Sequence, residues 1–310
     1  MLSARFENTR AIDLLIVFLA LLAGALVYET QVLHTVFTDA VVIEKLVITI
    51  LLLLSFLLLQ QINRWNELAE TKNCYVLFFF AICIILFPMT FSSIRVVGAN
   101  LLVLLVLWRI LTLKTGEEVP QKLFDASLLV FCAGILHPWA LVFLLNIWIS
   151  LLFYGSEKRR YWLIPFLALI VILILGTAIW LLSGLPFQVI IDNFEAFDYT
   201  HITEIPNFNL PLATVVSLIS LGVMLSVSLG VYYFVRRYHS ISSQIVIQFL
   251  WVGLLVFFLS KEPIYLFAPI AIFFALYVER IYKLWLKETI LWLLICFPVV
   301  ILTLHFVTKS

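Results

Sequence analysis

Glu29, Asp39, Arg95, His137, His201, Lys261 and Tyr265 have the side-chain types that do chemistry, and each falls in a gap between long apolar runs or at the edge of one. A carboxylate such as Glu29 or Asp39 can take the proton of an attacking hydroxyl or hold a divalent cation, while Lys261 and Arg95 can neutralise a phosphate. Tyr265, His137 and His201 add hydrogen-bonding groups around such a centre. As a set, these residues suit binding of a phosphate-bearing lipid and activation of an acceptor. Taken singly, each is also explained as the polar marker of a helix end. The chemical reading therefore needs them to share one compartment.

Composition says what elements must position them. The chain is 64% hydrophobic and 12% charged, with a mean hydropathy of +1.15, which describes a protein whose solvent is mostly lipid. In hydrocarbon the backbone satisfies its own polar groups only as helix or closed barrel. The apolar runs are continuous rather than alternating, so the expected class is all-α and polytopic. About eleven spans are predicted: Ala11–Tyr28, Glu44–Gln60, Cys74–Phe91, Val97–Leu113, Phe124–Leu136, Ala140–Tyr154, Tyr161–Leu182, Leu212–Phe234, Ile245–Leu259, Ile264–Val278 and Ile290–Val307. The fifth, sixth, ninth and tenth fall short of the roughly 20 residues a crossing takes, and suit re-entrant or shielded positions.

Charge supplies the expected sidedness. Fifteen of the nineteen Lys and Arg residues lie in every second gap, and only Lys45, Arg95, Lys261 and Lys309 lie in the others. The positive-inside rule then places the amino terminus inside, the carboxyl terminus outside, and all seven candidate residues on the outer face. The net charge of +1 conceals this polarity, because Glu29, Asp39, Glu44, Asp192, Glu195, Asp198, Glu204 and Glu262 gather outside. The inner cations read as topogenic and lipid-facing, with no nucleic-acid footprint. Asp13 and Asp125, near inner ends of spans, read as snorkelling or helix-capping acids.

No repeat, low-complexity tract or soluble domain is visible, so residues 1–310 read as one transmembrane domain. The longest aqueous segment, 183–211, is too short to bury a core and is expected to lie over the bundle as a lid. Ala23–Gly24–Ala25 resembles a signal-peptidase site, but Asp13 interrupts the apolar run before it, and a retained anchor is expected. Cys74, Cys83, Cys132 and Cys296 lie in or beside spans and read as packing residues. The scattered histidines have no zinc spacing, and neither a phosphate loop nor a nucleophile elbow is present; metal use stays open.

The stretch Ser260–Arg280, SKEPIYLFAPIAIFFALYVER, resembles a segment of the polyprenyl-phosphate-dependent glycosyltransferase C superfamily, with Lys261, Tyr265, Pro269 and Arg280 in the places of its Lys, Tyr, Pro and basic residue. The first outer gap, with Glu29 directly after the first helix and Asp39 further on, also looks like that superfamily's. Over its whole length the chain is similar to a family of uncharacterised bacterial multi-pass inner-membrane proteins. That likeness rests on LQQINRWN at Leu59–Asn66, Leu123–Asp125 followed by Gly134, and Lys158–Arg160 leading into Tyr161–Pro165.

The resemblance implies a glycosyltransferase-C-like fold in a bacterial inner membrane. It implies transfer of a sugar from a polyprenyl-phosphate carrier to an acceptor on the outer face. Glu29 or Asp39 would be the general base, Lys261 aided by Arg95 would hold the lipid phosphate, and Tyr265, His137 and His201 would be secondary contacts. The chain departs from the superfamily in separating its two acids and in lacking a soluble outer domain. The alternative is a non-enzymatic scaffold or assembly subunit of an envelope complex, with protein partners unknown. A transporter fits less well, because midspan positions are almost wholly Leu, Val, Ile and Phe.

Overall fold

The computed structural model describes residues 11–32, 38–66, 68–69, 74–154, 159–184, 212–236 and 241–309. Among them are eleven α-helices and no strand: α1 Ala11–Val27, α2 Asp39–Asn66, α3 Tyr75–Leu86, α4 Ile94–Leu111, α5 Val119–Leu136, α6 Leu144–Tyr154, α7 Ile164–Ser183, α8 Leu212–Arg236, α9 Ile241–Ser260, α10 Ile264–Glu279 and α11 Leu284–Lys309. Eight helical stretches are long and apolar enough to cross a membrane; Tyr75–Leu86, Pro138–Phe153 and Ile264–Glu279 are shorter apolar helices. The chain is an all-helical, multi-pass membrane protein.

The short helices α3 and α10 pack against each other at the centre. Nearly every residue of both is buried, and Phe79 meets Phe274 with ring centroids 5.1 Å apart. A helix that is apolar on all sides can be buried wholly within the bundle, and one wrapped in other helices need not match the bilayer thickness. Around this hub α1 and α11 lie against α3, while α8 and α9 lie against α10. The α4–α5 pair continues the bundle, α2 packs on α4, and α7 packs on α5. In α7 only Pro165 and Ala168 are buried, so most of its surface is left to lipid.

Helix bounds depart from expectation where polar residues or proline meet an apolar run. The third span stops as α-helix at Leu86, because Pro88 opens a 3-10 turn over Pro88–Ser92. The fifth and ninth spans are full length rather than short. Pro120 sits in the first turn of α5, where its missing N–H costs nothing, and the buried Ser242 and Ser243 belong to α9. The sixth and tenth are short as expected.

Contacts between helices sort their ends into two sets. At one end Lys45 of α2 meets Glu29 after α1 and the Phe91 carbonyl after α3, and Ser217 Oγ of α8 donates to the Leu86 carbonyl at 2.9 Å. Phe87 and Phe267 meet there too, 5.8 Å apart, which brings in the start of α10. At the other end Arg109 of α4 pairs with Asp125 of α5 at 3.0 Å, and Trp65 meets Trp108. There the Lys287 ammonium of α11 lies 5.0 Å over the Tyr75 ring of α3. Successive helices of this set therefore run in alternating directions.

Candidate functional site

The site begins where α1 loosens. Its apolar run ends at Val27 and the chain passes into a five-residue π-helical turn, Tyr28–Val32. Such wide turns are rare and are found disproportionately at functional positions. Glu29 lies in this turn and is only 4% exposed.

Its partner is Lys45, less than two turns into α2. The Lys45 ammonium donates to Glu29 Oε1 at 2.6 Å and to the Phe91 carbonyl at 3.1 Å. Phe91 lies at the end of the 3-10 turn that Pro88 opens, where carbonyls lack intrahelical partners and can accept from elsewhere. One ammonium thus ties together three segments that are far apart in sequence.

Beside the pair is a groove of about 200 Å³, lined by Leu22, Ala25, Leu26, Ile48, Thr49 and Phe91 as well as by Glu29 and Lys45. Leu26 is 58% exposed, so the groove opens toward the surroundings of the bundle rather than into its hub. Apart from the ion pair and Thr49 its walls are hydrocarbon and one aromatic ring. An acid–base pair at the margin of an apolar, outward-opening slot is the shape that an amphiphile's head and chain require.

A second pair lies at the same end. His137 follows α5, and Pro138 opens the next 3-10 turn, Pro138–Phe143. The reversal is tight: a Cβ on Gly134 would run into the Leu141 side chain. The Tyr265 hydroxyl, in the first turn of α10, is 2.8 Å from His137 Nδ1, and the two rings stack with centroids 5.7 Å apart. The hydrogen bond's direction follows the imidazole tautomer. Burial pushes His137 down to about 4, which keeps the ring neutral at pH 7. The start of α10 comes close to α9 at Gly253, where a Cβ would lie 3.2 Å from the Tyr265 carbonyl oxygen.

The remaining candidates are more dispersed. Lys261 is exposed and closes α9 in a left-handed conformation, φ 59°, with its N–H donating to the Phe257 carbonyl at 2.8 Å. This backbone shape is a familiar helix ending and strains any residue with a Cβ. Beside it, burial raises the pKa of Glu262. Asp39 is the first residue of α2 and Arg95 the second of α4; both are exposed, and neither forms an ion pair among the described residues. His201 and residues 185–211 of the expected lid lie outside the described residues.

The structure therefore joins His137 to Tyr265, and joins Glu29 to Lys45, which the charge rule reads only as an outer-face cation. Lys45 is the second residue of the predicted span Glu44–Gln60, and no local pattern ties it to Glu29. Among the described residues no three His, Cys, Asp or Glu side chains cluster so as to hold a metal ion. Comparison with protein-family models, with curated proteins and with solved structures finds no match to this chain, so its activity must be argued from the groove and its two charged residues.

Proposed function

We propose that this protein is a bacterial inner-membrane transferase with eleven spans and its amino terminus inside. It moves a sugar from a polyprenyl-phosphate carrier to a hydroxyl acceptor at the outer face. The observation that supports this most is the Glu29–Lys45 pair beside an apolar groove open at the side of the bundle. Glu29 takes the acceptor proton as the acceptor oxygen bonds to the anomeric carbon. The bond from that carbon to the phosphate oxygen breaks, and the Lys45 ammonium neutralises the charge that grows on the leaving polyprenyl phosphate. Lys45 replaces Lys261 and Arg95 as the favoured phosphate-binding cation. Asp39 is exposed at the start of α2 and does not line the groove.

The test is sugar transfer by the reconstituted full-length chain, supplied with a set of polyprenyl-phosphate sugars. Glu29→Gln is expected to lower the rate by about a hundredfold or more, the usual cost of losing a general base. Asp39→Asn should stay near the unaltered rate. Full activity in Glu29→Gln removes this residue from the mechanism, and a reporter fusion that places Glu29 in the cytoplasm ends the proposal.

The scaffold reading also has support in α7. In the stretch Arg160–Ser183 only 6% of the most apolar window is buried, which leaves a long helix face for lipid or for another membrane protein. Substitutions on that face that abolish co-purification of a partner, with transfer absent in the unaltered chain, would favour it.

A further inference from the structure

We infer that the groove beside Glu29 and Lys45 selects a zwitterionic phospholipid, its ammonium held by Glu29 and its phosphate by Lys45. The inference concerns the same groove as the proposed transfer but rests only on that groove facing lipid, not on any sugar chemistry. Its basis is charge complementarity. Glu29 and Lys45 touch at 2.6 Å, so the head-group end of the groove has no net charge but a strong local dipole. A purely anionic head that approaches Lys45 meets the Glu29 carboxylate at nearly the same distance, so it gains little until Glu29 takes a proton, as it does in the proposed transfer. A head carrying both signs a few bonds apart can lie antiparallel to the protein pair and gain from both, with the gain enlarged by the low dielectric around a nearly buried carboxylate.

Hydrogen-bond capacity narrows the class. A primary ammonium donates to a carboxylate, whereas a quaternary ammonium has no hydrogen to give, so an aminoethyl phosphate head fits better than its trimethylated counterpart. The size of the groove agrees. At about 200 Å³ it is smaller than the roughly 300–1,000 Å³ of a site that encloses a whole small molecule. It can therefore take only the part of one acyl chain nearest the head, against Leu22, Leu26 and Ile48, leaving the rest in the bilayer. A lipid seated there is the species that a polyprenyl-phosphate donor has to displace.

The experiment uses the purified full-length chain in detergent, exposed to an equimolar mixture of phosphatidylethanolamine, phosphatidylcholine and phosphatidylglycerol with identical acyl chains. Retained lipid is quantified by native mass spectrometry. Phosphatidylethanolamine should exceed each of the others by about tenfold, the worth of one charge-assisted hydrogen bond. That excess should vanish in Glu29→Gln and in Lys45→Gln but persist in Asp125→Asn, which alters an ion pair at the far end. Equal retention of the three lipids by the unaltered chain, or a preference for phosphatidylglycerol, overturns the inference without any variant having to fold. A preference that survives Glu29→Gln overturns it as well. Sugar transfer without lipid preference would leave the transferase reading standing alone; preference without transfer would do the reverse.

Discussion

Glu29–Lys45 and Arg109–Asp125 are ion pairs of similar length at opposite ends of the bundle, yet their settings differ sharply. The first closes at 2.6 Å with side chains 5% and 23% exposed; the second closes at 3.0 Å with both about one-third exposed. Arg109 and Asp125 join α4 and α5, two helices already packed against each other, and the guanidinium also lies 5.3 Å over the Trp108 ring. Glu29 and Lys45 join segments that approach each other mainly through α3. A half-solvated pair costs little and contributes little, about 0–1 kcal/mol. A desolvated pair is expensive to assemble, and two apolar residues would often stabilise the same place better. That a groove opens beside the costly pair is what favours use over mere stapling.

Removing one partner is the hardest blow to this contrast. Glu29→Ala should destabilise the chain by about 3–5 kcal/mol, since it strips the Lys45 ammonium of its carboxylate in a poorly solvated place. The double variant Glu29→Ala, Lys45→Met should recover much of that loss. Reversible unfolding followed by loss of helical signal measures both, and a single variant as stable as the original chain would mean the pair is solvated after all.

The neutral pair at the same end gives an intermediate effect with a defined pH window. The folded chain holds His137 down at about 4, from an ordinary value of 6.5. Above pH 6.5 neither state binds the proton, so the contribution of His137 is constant. As pH falls from 6.5 to 4 the unfolded chain takes up a proton that the folded chain refuses, and stability declines; below 4 it levels off. His137→Asn should flatten that part of the stability curve relative to the unaltered chain. An unchanged slope would show that the imidazole is open to water.

The smallest effect belongs to the exposed pair. Asp125→Asn should shift stability by less than about 1 kcal/mol, and less still at high salt. A loss as large as that of Glu29→Ala would erase the distinction between the two ends.

Hydrophobic runs made the helices legible, and the acid after the first run marked Glu29. Proline and short polar residues were harder to place. Pro88 cuts α3 short although the run around it is apolar, whereas Ser242 and Ser243 look like a turn and are buried in α9. α2 begins at Asp39, because an acid in a helix's first turn complements the dipole; Asp39 and Glu44 on either side of Ala40–Val41–Val42–Ile43 looked instead like the edge of a loop. The pairings could not be read at all. Lys45 and Glu29 are 16 positions apart and His137 and Tyr265 are 128 apart, so packing rather than any local pattern brings them together. Lys45 was further disguised by a residue type that the charge rule already explains.

At 1.5 Å per residue α3 is about 18 Å long and α10 about 24 Å, against about 42 Å for α2. The two central helices are thus shorter than α2, α7 and α8 around them. If they sit near the middle of the bilayer, a group at either of their ends, Tyr265 among them, lies nearer the midplane than one at the ends of α2. Any chemistry there would have to draw its water and head groups inward to that depth.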